Sequence, residues 1–335
     1  MAEALVQLKK KDFVSDQDVR WCPGCGDYAI LSAIQKTMPD IGVPKEKIVF
    51  ISGIGCSSRF PYYMDTYGFH TIHGRAPAFV SGLKCTNPEL SVWMVTGDGD
   101  GLSIGGNHLL HVVRRNLDVN ILLFNNRIYG LTKGQYSPTS EVGKVTKSTP
   151  YGSLDRPVNP LRFALAAEAT FVARTYDANP KHMAATFLEA SKHKGVSFIE
   201  ILQNCPIFND GAWTESVDKK VRNERLIELE HGKPLVYGDN KGLKLEGLRL
   251  VPTSWEGDEV PAEVFTHDEA SPTTALATML AEQVDPLPVG VFRRVQGEQT
   301  YDEALIEQVE YAKQKVGNQD LGALYRSGAS TWKVD

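Results

Sequence analysis

Residues 92–130 read VWMVTGDGDGLSIGGNHLLHVVRRNLDVNILLFNNRIYG, and the rest of the chain falls into place around them. The apolar run 92–95 reads as a buried strand, which breaks at Gly97-Asp98-Gly99-Asp100-Gly101. A helical stretch follows, and a second apolar run, 119–124, ends at Asn125-Asn126. In a parallel sheet two such strand ends lie side by side, which is where open α/β sheets bind ligands. A carboxylate beside a carboxamide is a hard-oxygen pair suited to Mg²⁺, which takes few protein ligands and completes its octahedron with phosphate oxygens and water. Glycines at 97, 99 and 101 let a phosphate come close to the backbone, because no Cβ intervenes. The stretch therefore predicts a Mg²⁺-diphosphate site on an α/β fold with a doubly wound, mainly parallel sheet. GDG on its own is also ordinary turn chemistry after a strand. Rival nucleotide motifs fail: Ser58 and Leu102 stand where a third dinucleotide-binding glycine would be, and no GxxxxGK[ST] occurs.

Composition bounds the rest. With 335 residues, 42% hydrophobic and 23% charged, the chain has enough length and apolar content for a sizeable core in one or two domains. A net charge of −5 gives no reason to expect nucleic acid or an anionic membrane as partner. No apolar run approaches the length of a membrane span, and residues 1–16 lack an apolar signal core, so a cytosolic protein is expected. In a reducing compartment, five cysteines argue for metal binding or catalysis rather than disulfides.

Residues 1–20 form a charged lead-in, followed by Trp21-Cys22-Pro23-Gly24-Cys25-Gly26-Asp27 and a helix starting near Asp27. Two thiols three apart at a helix start sit among unpaired N–H groups, which favours thiolates. A redox dithiol, half a zinc site and half an iron–sulfur site all fit this spacing. The strand 48–52 ends at Gly53-Ile54-Gly55-Cys56-Ser57-Ser58-Arg59. His73, next to Gly74, is either a satisfied polar side chain or a ligand contact, and a helix is expected over 77–84. Cys85 reads as packing. Residues 131–140 and 150–160 read as loops, the second a flap-like stretch broken by Pro150, Pro157 and Pro160. Helices resume at 161–169 and 181–193, and 197–202 reads as the last convincing core strand, running into Gln203-Asn204-Cys205-Pro206. Strand ends after 52, 96, 124 and 202 thus carry Cys56, Asp98, Asn125-Asn126 and Cys205, along one edge of one sheet. Beyond 208 the chain reads as an extension or arm, helix-like and charged at 217–231, turn-rich at 232–260, and helical again at 302–316. The expected organisation is a lead-in over 1–20, a cofactor domain over 21–207 and an extension over 208–335.

Cys22, Cys25, Cys56 and Cys205 make four thiols, a set that suits Zn²⁺ or a [4Fe–4S] cluster. Structural zinc sites usually use two close pairs, whereas Cys56 and Cys205 stand singly on separate strands, so the cluster is favoured.

The spacing from Gly97 to Asn126, one strand–helix–strand unit, resembles the cofactor motif of thiamine-diphosphate enzymes. The motifs WCPGCG, GIGCSSR, HTIHGRAPA, GDGDGLSIGGNH, FNNRIYGLTKGQYSPTS and NCP resemble those of β subunits of 2-oxoacid:ferredoxin oxidoreductases, most of all the 2-oxoglutarate type, over residues 13–215. The resemblance implies thiamine diphosphate, Mg²⁺ and one [4Fe–4S] cluster. It implies that Cys22, Cys25, Cys56 and Cys205 hold the cluster, and that Asp98, Asn126 and the carbonyl of Ile128 hold Mg²⁺. Ile54, Gly55, Cys56, Ser57, His73, Gly99, Asp100, Gly130 and Leu131 would contact the cofactor, with Arg59 and Lys133 facing the substrate. Where some members carry Lys, this chain has Arg59, which can grip a carboxylate through two hydrogen bonds. The implied reaction is 2-oxoglutarate plus CoA to succinyl-CoA, CO2 and reduced ferredoxin, or its reversal as reductive CO2 fixation. A larger α subunit, in an α2β2 assembly, would supply the other half of the thiamine site. Alternatives are a pyruvate or broad-specificity enzyme of the same family, a non-redox thiamine enzyme with structural zinc, and a non-catalytic metal-binding scaffold.

Overall fold

Strands form where the chain is apolar on both faces of the pleat, and these strands feed two cores. The computed structural model describes residues 8–317, 320–330 and 332–334, so part of the expected lead-in (1–7) and four positions of the expected extension lie outside the described residues. The described residues form eleven strands: β1 (Ile48–Ser52), β2 (Tyr67–His70), β3 (Ser91–Gly97), β4 (Val119–Asn125), β5 (Phe171–Tyr176), β6 (Val196–Leu202), β7 (Leu226–Leu229), β8 (Val236–Tyr237), β9 (Lys241–Glu246), β10 (Arg249–Ser254) and β11 (Leu287–Arg294). Eight make one sheet in the order β2-β1-β3-β4-β6-β5-β11-β7, and β8–β10 make a separate antiparallel sheet. The pairs from β2 to β5 are all parallel. β11 runs antiparallel to β5 and parallel to β7.

Alternate residues of the central strands enter opposite cores. Val49, Ile51, Met94, Ile121 and Leu123 face one side with the helices Ala76–Thr86, Gly106–Arg114, Pro160–Ala166 and Ala275–Glu282. Phe50, Trp93, Val95, Leu122 and Phe124 face the other side with the helices Asp27–Thr37 and Pro180–Lys192. That is the doubly wound architecture expected from the sequence. Each fully buried large side chain, Phe50 and Trp93 among them, contributes roughly 1.5–3 kcal/mol.

Three expectations about the second half are corrected. β5 was not foreseen, because Arg174 and Thr175 interrupt its apolar run. Arg174 is nevertheless buried, since its Nε donates to Glu200 Oε2 on the neighbouring β6 at 2.7 Å. The strand 197–202 is not the last of the sheet, for β7 and β11 follow it. Residues 217–231 are not a helix: after two single turns, Thr214–Val217 and Arg222–Arg225, the aliphatic run Leu226-Ile227-Glu228-Leu229 pairs with β11. Tertiary pairing there overrides a charged, helix-like composition. A boundary at 207/208 accordingly runs through one continuous sheet.

The segment after β11 is tied to the body by buried charge. Lys84, on the helix Ala76–Thr86, is 0% exposed and donates to the carbonyls of Pro88 and Leu90. Its ammonium also lies 3.4 Å from Asp118 Oδ2 and 3.7 Å from Asp302 Oδ2, the latter on the helix Tyr301–Val316. No helix among the described residues is long and apolar enough to cross a membrane.

Candidate active site

Register brings the chemistry together. Ser52 pairs with Val95, Gly97 with Phe124, and Asn125 with Leu202, so β1, β3, β4 and β6 end side by side. The residues just beyond those ends line two neighbouring cavities. The inner one takes in Ile54, Gly55, Cys56 and Ser57 after β1, Asp98 to Asp100 after β3, and Asn126, Ile128, Gly130 and Leu131 after β4. His73 also borders it. Every residue expected to touch the diphosphate cofactor or its metal is therefore on this one wall.

Asp98 is 3% exposed, and its Oδ2 accepts hydrogen bonds from Ser137 Oγ and Thr139 Oγ1, each at 2.5 Å. Burial pushes its carboxyl up to about 6 despite those two donors. A buried carboxylate of this kind is stabilised by a cation, and Asn126 and Ile128 border the same space. The oxygen-rich donor set fits Mg²⁺. The two asparagines divide their work. Asn125 is internal, donating to Glu200 Oε1 at 2.7 Å and accepting from Thr139 at 2.9 Å, while only Asn126 faces the cavity.

The glycines need a correction. A Cβ on Gly99 would lie 2.2 Å from the Tyr129 ring, so this glycine makes room for a packed aromatic rather than for phosphate alone. Gly97 is the open one, with nothing nearer than Ser57 Oγ at 3.4 Å. Asp100 likewise turns its side chain inward. It accepts from the Ile54 amide at 3.0 Å, the Gly74 amide at 2.7 Å, Thr96 Oγ1 at 2.7 Å and His73 Nδ1 at 2.5 Å. Its carboxylate thus fixes the turn after β1 and the ring of His73, and leaves His73 Nε2 as the nitrogen free for a ligand.

The second cavity is bordered by Cys22, Cys25, Cys56 and Cys205, with Arg59 and Lys133 on its rim. Cys85 lies elsewhere, half-buried on the helix Ala76–Thr86. Among the described residues no three His, Cys, Asp or Glu side chains converge as a ready-made site for one metal ion. The four thiols on one cavity wall are a soft donor set of the kind that suits Zn²⁺ or an iron–sulfur cluster. A Cβ on Gly130 would lie 3.5 Å from Cys56 Sγ and 3.6 Å from Cys205 Sγ, so glycine keeps the space between these sulfurs clear. The expectation that the helix start favours thiolates is corrected. Burial, then the Asp27 carboxylate, pushes Cys56 up to about 12, and the same two causes raise Cys25 well above the ordinary thiol range. The helix start alone does not make these thiols thiolates; a bound metal would have to supply the charge that does.

Arg59 and Lys133 do not border the inner cavity. Arg59 stands between the thiol cavity and an outer one shared with Ile54, Gly55, Tyr62 and His70, and its Nε donates to Tyr63 Oη at 2.9 Å. Lys133 borders the thiol cavity from a tight turn, where its φ of 74° is left-handed. Sequence reasoning missed Asp27 and Gln203, which border both cavities, and the hydroxyls of Ser137 and Thr139. The clustered hydroxyls of SPTS were the available signal for the last two. Asp27 read as a helix start, and the helix does begin there, but its side chain is buried instead of capping the helix in solvent.

Comparison with known proteins agrees with this geometry. Residues 53–201 match the family model described as thiamine pyrophosphate enzyme, C-terminal TPP binding domain. The chain is 52% identical to the 2-oxoglutarate oxidoreductase subunit KorB of Mycobacterium tuberculosis, over 98% of this chain and 89% of that one. It is 41% identical to the 2-oxoacid:ferredoxin oxidoreductase subunit beta of Saccharolobus solfataricus, over 74% of this chain and 82% of that one. A solved structure, the 2-oxoglutarate:ferredoxin oxidoreductase from Magnetococcus marinus with 2-oxoglutarate, coenzyme A and succinyl-CoA bound, superposes with a TM-score of 0.77 at 32% identity, covering 97% of this chain and 98% of that one. A thiamine-type strand edge and full-length relatives lead to the same place: the chain belongs to the β subunits of the 2-oxoacid:ferredoxin oxidoreductases, a family of oxidoreductases that includes the 2-oxoglutarate enzymes.

Proposed function

We propose that this chain is the β subunit of a 2-oxoglutarate:ferredoxin oxidoreductase. With an α subunit, it converts 2-oxoglutarate and CoA to succinyl-CoA and CO2 and passes electrons through one [4Fe–4S] cluster to ferredoxin. The observation that carries this reading is the shared wall. Cys56, Asn126, Gly130 and Leu131 border both the diphosphate cavity and the four-thiol cavity, so the two centres would be neighbours on one sheet edge.

Asp98, Asn126 and the Ile128 carbonyl would hold Mg²⁺ against the diphosphate, and Cys22, Cys25, Cys56 and Cys205 would hold the cluster. Thiamine diphosphate, when bound, supplies the electron sink for loss of CO2. The chain's own side chains position and neutralise. Asp100 orients His73 through Nδ1, Ser137 and Thr139 hold the Asp98 carboxylate, and Arg59 and Lys133 offer cations to carboxylate groups of the substrate. A cluster held by the four thiols would supply a one-electron carrier next to the inner cavity. The visible spectrum of the anaerobically purified complex tests this reading. Broad iron–sulfur absorption that bleaches on adding 2-oxoglutarate and CoA is the expected result, and a colourless, zinc-containing protein would overturn it.

Substrate choice gives a prediction here. 2-Oxoglutarate carries a second carboxylate that would be costly to bury unpaired. Lys133→Ala is expected to lower kcat/KM for 2-oxoglutarate by about tenfold or more, and for pyruvate by less than about threefold. Equal losses for both acids would assign Lys133 a non-discriminating role.

A second prediction concerns assembly. Family members complete the thiamine site from a second domain, and the strands beyond β6 extend the existing sheet or form the small antiparallel one. This chain expressed alone and reconstituted with iron, sulfide, Mg²⁺ and thiamine diphosphate is expected to give no 2-oxoacid-dependent ferredoxin reduction. Adding the α subunit should restore it in an α2β2 complex. Turnover by the isolated chain would refute the requirement.

A further inference from the structure

Asp27 has no cationic partner among the described residues. It is 1% exposed, its carboxylate oxygens make no hydrogen bond of good geometry, and the Cys25 thiol is the one side chain near enough to donate to it. Among the described residues no Lys, Arg or His forms an ion pair with it, and its charged or ionisable neighbours are Cys25 and Asp177. Although it is the first residue of the helix Asp27–Thr37, it makes no capping bond. Gln203 does not help: its Nε2 donates to Cys25 Sγ at 3.3 Å and to the Asn204 carbonyl, and its Oε1 is itself unpartnered. Both side chains border both cavities. A buried carboxylate in such surroundings is strongly unfavourable unless a cation or a set of donors faces it.

The two cavities differ in what they can offer. On the thiol side, Cys25 can donate only while it keeps its proton, and as a metal ligand it becomes a second negative group. Arg59 and Lys133 stand on that rim without pairing with Asp27. On the other side, the inner cavity is the place for thiamine diphosphate, whose thiazolium ring is a permanent cation. We propose that Asp27 is the counter-ion of the thiazolium ring, a cofactor-binding residue that holds the charged ring against the wall shared with the thiols. The proposal rests on the thiamine reading of the inner cavity and deepens it.

The test separates charge from shape. The αβ complex, stripped of cofactor, is titrated with thiamine diphosphate and with thiamine thiazolone diphosphate, whose ring has nearly the same outline but no charge. Dissociation constants are read from quenching of tryptophan fluorescence, with iron content measured in the same samples. Asp27→Asn is expected to weaken thiamine diphosphate by about tenfold or more while weakening the uncharged analogue by less than about threefold. Asp27→Glu should keep the wild-type ratio of the two constants. Equal weakening of both compounds, or no weakening of the charged one, overturns the proposal. If Asp27→Asn does not assemble, the smaller neutral replacement Asp27→Ser is read by the same two criteria. A wild-type complex that binds neither compound would instead remove the thiamine reading beneath it.

Discussion

Asp98→Ala is expected to weaken Mg²⁺-dependent retention of thiamine diphosphate by at least about a hundredfold, beyond the loss typical of outer-shell changes at metal sites. Of the two carboxylates that follow β3, Asp98 is the one that remains for a metal once Asp100 has been committed to His73 and two backbone amides. Mg²⁺ binds through few protein groups, so losing one anionic ligand removes much of what bridges protein and diphosphate. Alanine also leaves the hydroxyls of Ser137 and Thr139 without their acceptor in a buried place. The αβ complex is loaded with cofactor and Mg²⁺, passed through gel filtration, and its thiamine content measured. A variant that keeps wild-type cofactor at the same Mg²⁺ concentration would place the metal elsewhere.

Cys205→Ser is expected to lower iron content by about half or more and to abolish ferredoxin reduction, with Cys85→Ser unchanged in both. The contrast matters because both residues are cysteines in ordered structure. Cys205 is buried at the thiol cavity, across the Gly130 gap from Cys56. Cys85 lies on the helix Ala76–Thr86, where its charged neighbours are Asp302 and Arg115. Serine is nearly isosteric but a poor ligand for iron at neutral pH, so folding is kept while coordination is lost. Equal iron in the two variants would remove Cys205 from the ligand set.

Much of this was legible in the sequence for a physical reason. A buried parallel strand must be apolar on both faces, and IVFIS, VWMV and VNILLF announce themselves, as does the polar residue at which each one stops. The candidate site residues follow those stops within a few positions, so the wall that they line could be read from the sequence. What stayed hidden depends on pairing across long separations. Arg174 reads as a surface residue until Glu200 is known to sit beside it on β6. The run Leu226–Leu229 reads as part of a charged segment until β11 is in place to pair with it. Asp27 and Gln203 are hidden for a related reason, since only the closed fold shows that they border both cavities and that no cation faces Asp27. Nor could local sequence tell Gly97, which leaves room for a ligand, from Gly99, which leaves room for Tyr129.

The place of β11 bears on how the molecule is made. β11 lies against β5, yet the chain runs from residue 176 to residue 287 between them. As the chain leaves the ribosome, the cofactor half of the sheet can form early, with β6 already lying against β5. β5 must then wait, its outer backbone groups unpaired, until almost the whole polypeptide has emerged. An open strand edge of that kind is a template for pairing with another nascent chain. The small antiparallel sheet and its connections, synthesised in that interval, lengthen the exposure. Yield of soluble protein should therefore depend on how quickly residues 287–294 are delivered, and chaperones that cover strand edges have a defined period in which to act.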